Sequence, residues 1–188
     1  HLKCYQNQPY ILISMSIENF GDDPINLAQA SVINVSSSQE QAKGGIYLGS
    51  SPENCHVYLN TASNTSHGVQ KVYSGFSVNQ DNSVHLCYDG GIYDLESKQS
   101  IVFGFLDARK WWSSIEMSYT GQDTATQQTE EGIDCWSAFH QCENYECAAK
   151  TEIEFSPFYL NFIDGITSSY QTYVEMIAQE MEVKKQNR

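Results

Sequence analysis

The chain has 188 residues, with 10 Lys and Arg against 23 Asp and Glu, for a formal net charge of −13. So acidic a chain lacks the basic footprint that phosphate binding needs, which excludes a nucleic-acid partner. No apolar run approaches the ~20 residues that span a bilayer, and the length suits one domain with a real core.

The first two-thirds read as β-structure. In Tyr10 to Ile17 the apolar Ile13, Met15 and Ile17 alternate with serines, the period of a half-buried strand. Ser31 to Val35 is a second strand, and Gly44-Gly45 opens a third at Ile46-Tyr47-Leu48. Cys55 to Leu59 alternates Cys, Val and Leu with His and Tyr. Val69 to Val78, Ser83 to Tyr88, Ser100 to Leu106 and Trp111 to Tyr119 follow. Turn residues part these runs at Gly21-Asp22-Asp23-Pro24, Ser50-Ser51-Pro52, Asp81-Asn82 and Asp89-Gly90-Gly91. Short strands so spaced predict a mainly β fold, an antiparallel β-sandwich rather than βαβ units.

Thr120 to Glu131 is polar and reads as a long loop. Cys135, Cys142 and Cys147 then crowd together, which predicts a cysteine-rich excursion over about 132–150, stapled to the sandwich. Glu152 to Phe162 alternates and adds one strand. The sandwich is thus expected over 1–165. Over 166–188 a helix follows, capped by Ser168 or Ser169, with Tyr170, Tyr173, Val174, Ile177 and Met181 at helical spacing. Its other face is acidic, which favours docking on the sandwich over lying on a membrane.

Six cysteines, at 4, 55, 87, 135, 142 and 147, form no CxxC pair and fit no zinc-finger spacing. Their even number suggests three disulfides, in any of 15 pairings. The sequons Asn34-Val35-Ser36 and Asn64-Thr65-Ser66 suit N-glycosylation. Disulfides and glycans together point to a secreted or cell-surface protein.

The chain carries no GxSxG elbow, no phosphate-binding loop, no GxGxxG after a strand and no HExxH. Its most chemically suggestive residue is His1. Read as the mature terminus left by signal-peptide removal, it offers an α-amine and an imidazole together, and a second histidine would complete a nitrogen clamp for copper. His56 stands on the polar phase of a strand, His67 in a turn after a sequon, His85 on a solvent-facing phase, and His140 among the cysteines. Spacing selects none of them as the partner.

Three segments stand in order: His1-Leu2, then Gly44-Gly45-Ile46-Tyr47-Leu48 running into Val57-Tyr58-Leu59, then Ser83 to Cys87 with Ile101 to Phe103 and Trp111 to Met117. Together they resemble fungal copper-binding proteins similar to the lytic polysaccharide monooxygenases. The likeness covers roughly the first 120 residues. Where that family has Pro and Arg soon after its histidine, this chain has Cys4-Tyr5-Gln6. The resemblance implies an immunoglobulin-like sandwich holding one Cu(II) through His1, a second histidine at His56 or His67, and an acidic ligand at Asp107. An acidic ligand would fill the position at which the monooxygenases activate oxygen. That implies copper capture or delivery, in contact with a cell-wall or surface partner, and disfavours oxidative cleavage.

A second resemblance points elsewhere. The spacing of Gly44-Gly45 to Cys55, and of Cys147 to Ile153 and Phe155, is similar to that in the immune-evasion domains of poxviruses. It implies a secreted decoy that holds no metal and sequesters a basic host cytokine, chemokine or receptor ligand. Acidic charge would steer such a partner, with Trp111 and Trp112 as interface anchors.

Overall fold

The computed structural model describes residues 1–6, 8–36, 47–50, 54–60, 69–72, 83–86, 89–107, 110–119 and 133–186. Residues 36, 56–60, 69–72, 83–86, 118–119, 133–135, 166, 170 and 180–186 are described by their backbone alone.

The strands are β1 (Leu2–Cys4), β2 (Tyr10–Ile13), β3 (Ser16–Glu18), β4 (Ile25–Ser36), β5 (Cys55–Asn60), β6 (Val69–Val72), β7 (Ser83–Leu86), β8 (Asp89–Asp94), β9 (Ser100–Phe105), β10 (Trp112–Tyr119), β11 (Ile133–Cys147), β12 (Glu152–Glu154) and β13 (Phe158–Phe162), and the helix α1 (Ile166–Gln186) closes the order. Seven strands form one sheet in the order β1-β2-β13-β9-β8-β5-β6, four form a second in the order β4-β11-β10-β7, and β3 pairs with β12. Every pairing is antiparallel.

The two larger sheets face each other. Ile92, Phe103, Phe105 and Phe158 from the first pack against Ile115, Met117, Trp136 and Ala138 from the second in one buried cluster. The expected antiparallel sandwich is therefore present. Successive strand residues point to opposite faces, so Val102 and Tyr159 look the other way, where α1 covers them with Tyr173, Met176 and Ile177. This makes β9 a strand buried on both sides, and its Ser-Ile-Val-Phe-Gly-Phe sequence is nearly continuous in apolar residues for that reason. A third cluster closes one end of the sandwich, where Ile153, Phe155, Met15 and Ile17 from the β3–β12 region meet Trp111, Cys142 and Cys147.

Several local expectations change. Asp89-Gly90-Gly91 is not a turn: it opens β8, with Gly90 and Gly91 opposite Leu59 and Tyr58 of β5. Tyr47 and Leu48 lie outside any strand, and Gly44-Gly45 and Ile46 lie outside the described residues. The cysteine-rich stretch is β11, paired with β10 on one side and β4 on the other. Its irregularity is a bulge between Gln141 and Tyr145, where Glu143 and Asn144 take positive φ of 50° and 63°. Residues 152–162 give two strands, parted at Pro157. The helix begins ahead of the expected serines. Gly165, at φ 86°, provides the first helical carbonyl, accepting from the Ser169 amide, so Ser168 and Ser169 lie within the first turn.

Candidate functional site

A cleft of about 530 Å³ opens where the end of β1–β2, the strand β12 and the β9–β10 connection come together. It is lined by two lysines (Lys3 and Lys110), by His1, and by three acidic residues (Asp107, Glu152 and Glu154). Trp111 and Phe155 supply its aromatic wall, and Ser14, Ser16 and Ser156 its hydroxyls.

Main-chain bonds fix this geometry. His1 is tied to Ser14 twice: its α-nitrogen donates to the Ser14 carbonyl at 2.7 Å, and its own carbonyl accepts from the Ser14 amide at 2.9 Å. The Asp107 amide donates to Ser156 Oγ at 2.8 Å, and the Leu106 amide to the Pro157 carbonyl at 3.0 Å. Trp111 Nε1 donates to the Glu154 carbonyl at 3.3 Å, and Lys110 Nζ lies 4.9 Å from the Trp111 ring centre, within cation–π range. The strand β12 alternates out-in-out, so Ile153 enters the core while Glu152 and Glu154 line the cleft.

Behind the aromatic wall lies His140, wholly buried. Its Nδ1 is 2.9 Å from Ser113 Oγ, and its ring packs 5.2 Å from Phe155 and 4.6 Å from Phe105. Burial among these groups pulls the imidazole down to about 4, against a smaller upward pull from the Ser156 backbone. It stands neutral at pH 7 and supports the wall from inside.

Of the four expected copper ligands, His1 and Asp107 meet in this cleft. His56 does not join them. It pairs with Tyr93 from β5, and the four strands β2, β13, β9 and β8 stand between β5 and β1. At ~4.8 Å per step that is about 24 Å along the sheet, beyond any shared ion. His67 and Asn64 lie outside the described residues. Among the described residues no three His, Cys, Asp or Glu side chains gather closely enough to hold a metal ion. His85 sits on β7 opposite Glu116.

Cys4 is an exposed thiol, and Cys55, Cys142 and Cys147 are buried thiols. Desolvation pushes the Cys55 thiol up to about 11 although the Leu48 amide donates to its Sγ, and burial raises Cys142 as well. Cys87 and the Cys135 side chain lie outside the described residues. Asn34 is exposed on β4, opposite Ser137. Trp111 is buried, whereas Trp112, next along the strand, is 63% exposed. Lys3, Lys110, Glu152 and Glu154 escaped the sequence reading. The alternation of Glu152-Ile153-Glu154 marked the two glutamates as outward-facing, but their opposition to His1 arises from tertiary packing.

No protein-family model matches this chain, and no curated protein matches it. Among solved structures it is similar to a Klebsiella pneumoniae protein crystallised under the name "putative aldose 1-epimerase", at a TM-score of 0.50 and 8% identity, over 95% of this chain and 49% of that one. The chain thus spans about half the length of that structure, and the likeness is one of fold. No helix among the described residues is long and apolar enough to cross a membrane.

Proposed function

We propose that this chain is a binding protein that captures Cu(II) in the cleft beside His1, with His1 and Asp107 as its first ligands. The observation that carries this reading is that these two residues, from distant parts of the chain, line one cleft. An imidazole nitrogen and a carboxylate oxygen are the mixed donors that Cu(II) accepts in tetragonal sites, and Glu152 and Glu154 bring further oxygens to the same cleft. Where His1 has a free α-amine, its neutral form keeps a lone pair while one N–H still donates to Ser14. The two-histidine clamp with His56 gives way to a nitrogen–oxygen site completed by water. Such a site, with carboxylates around it, favours capture or delivery over oxygen chemistry. This reading takes the sandwich to be immunoglobulin-like and secreted, with glycans on Asn34 and Asn64.

Copper titration with electron paramagnetic resonance tests it. Asp107→Asn should weaken Cu(II) binding by more than the ~10–100-fold typical of losing an outer-shell partner. His1→Ala should remove a nitrogen from the spectrum, and His56→Ala should change neither. Unchanged affinity in both Asp107→Asn and His1→Ala would overturn the proposal. A second reading, sequestration of a basic protein ligand, draws on the net charge of −13 and the outward Trp112. It expects salt-sensitive capture of a basic chemokine that Trp112→Ala weakens and added copper leaves alone.

A further inference from the structure

Sheet edges offer unpaired backbone donors and acceptors, and proteins blunt them with short strands, charges or bulges. Among the described residues, two of the four edges of the two large sheets follow that rule. The strand β1 is three residues long and carries Lys3, and β6 carries Lys71. The longest described edge strand is neither short nor charged, and its bulge leaves a regular stretch ahead of it. That strand is β4, twelve residues without a single charged side chain, in a chain of net charge −13. Its inner side is paired with β11, and no described strand pairs with its outer side.

A bulge interrupts β4 at Val32, because Ser31 and Ile33 face the adjacent residues Phe139 and Ala138. The stretch before it, Ile25-Asn26-Leu27-Ala28-Gln29-Ala30-Ser31, is free of any extra residue on its own strand. In an antiparallel pair, opposed residues share a face, so a two-fold axis must pass through a residue. Centred on Ala28, the segment faces its own copy as Ile25 to Ser31, Asn26 to Ala30, Leu27 to Gln29, and Ala28 to itself. No pair in that register brings like charges together. Asn34 falls beyond the paired stretch, so a glycan there would leave the pairing open.

We propose that β4 is a self-association edge, on which Ile25 to Ser31 pairs antiparallel with the same segment of a second copy about Ala28. The occupant is a second copy because so acidic a molecule can approach its twin closely only where neither side carries charge, and β4 brings such a surface to both sides. Exposed Ile25 and Tyr145, near one end of the pair, add apolar contact. A seven-residue ladder buries far less than the ~1,600 Å² of a standard interface, so the dimer is weak and concentration-dependent.

Cysteine cross-linking reads the register directly. In a Cys4→Ser background, Ala28→Cys should form a disulfide-linked dimer on mild oxidation, about tenfold above that background, since directly opposed residues lie close together. Ser31→Cys, which faces Ile25 in the copy, should not. In sedimentation equilibrium of the unmodified chain, a weak dimer should grow with concentration. Gln29→Lys, at an exposed position, should shift it to monomer with an unchanged circular dichroism spectrum. Equal cross-linking at both positions, none at Ala28→Cys, or a monomer at every concentration would overturn the proposal.

Discussion

His140 shows how one side chain sets a pH limit on the fold. The imidazole is buried against Phe105 and Phe155 and held at about 4, where an unfolded chain would return it to its ordinary value of 6.5. As pH falls through 6.5 the unfolded state takes up a proton that the folded state refuses. The stability this group confers is therefore whole above about 6.5, is lost progressively down to about 4, and changes no further below that. At about 1.4 kcal/mol per pH unit the loss amounts to about 3 kcal/mol, a sizeable part of a typical domain's stability. Urea unfolding from pH 7 to pH 4 should show this decline, and His140→Gln, which keeps an amide oxygen for Ser113, should flatten it. Equal slopes in the two proteins would mean that carboxylates alone govern acid sensitivity. The sequence placed His140 among the cysteines but carried no sign of its burial. That depends on a strand position facing Phe105 and Phe155, which come from two other segments.

At the scale of elements, the helix α1 is held on the seven-stranded sheet by shape as much as by area. The Tyr173 hydroxyl donates to the Phe105 carbonyl at 3.0 Å, and its ring packs 5.1 Å from Tyr159. Gly104 makes room for that hydroxyl, since a Cβ there would collide with it and with Asp89. A second anchor joins Ser100 and Ser169 by their hydroxyls at 2.7 Å, while Asn161 Nδ2 donates to the Ser169 carbonyl at 3.1 Å. Gly104→Ala should then cost about 1–3 kcal/mol by overpacking. Tyr173→Phe should cost about 1 kcal/mol for its lost bond. Together they should cost less than their sum, because removing the hydroxyl gives the new methyl part of its space. Additive losses in thermal or urea unfolding would show that the helix does not press on Gly104. The helix itself was legible from the spacing of Tyr173 and Ile177. The strand β8 was not, because Gly90-Gly91 reads as a turn when its pairing with Tyr58 and Leu59 is out of view. Nor was the role of β11, whose cysteines suggest a staple until its neighbours β4 and β10 show it to be an inner strand of a sheet.

For the whole molecule, strand order decides what the sequence could and could not reveal. Alternation identified most of the strands and, with them, the antiparallel sandwich. It carries no record of which strand lies beside which, so His56, chosen as a neighbour for His1, proves to be five strand positions away. Asp107 was reached only through a family resemblance, and its meeting with His1 depends on how the β9–β10 connection folds against residues 152–157. The same arrangement leaves an uncharged edge on a molecule of net charge −13, and this yields a prediction about salt. If β4 pairs with its own copy, the contact itself is neutral while the two bodies repel. Raising ionic strength at pH 7 shortens the reach of that repulsion, from ~30 Å at 0.01 M to ~8 Å at 0.15 M, without weakening backbone hydrogen bonds. The dimer should therefore strengthen with salt in sedimentation equilibrium, by severalfold over that range. Gln29→Lys should remain monomeric throughout, since its two new charges stand diagonally across the pair, each opposite a Leu27, roughly 7–8 Å apart and within the reach of repulsion even at 0.15 M. An association that weakens with salt would instead identify an interface built on opposite charges, for which β4 has none to offer.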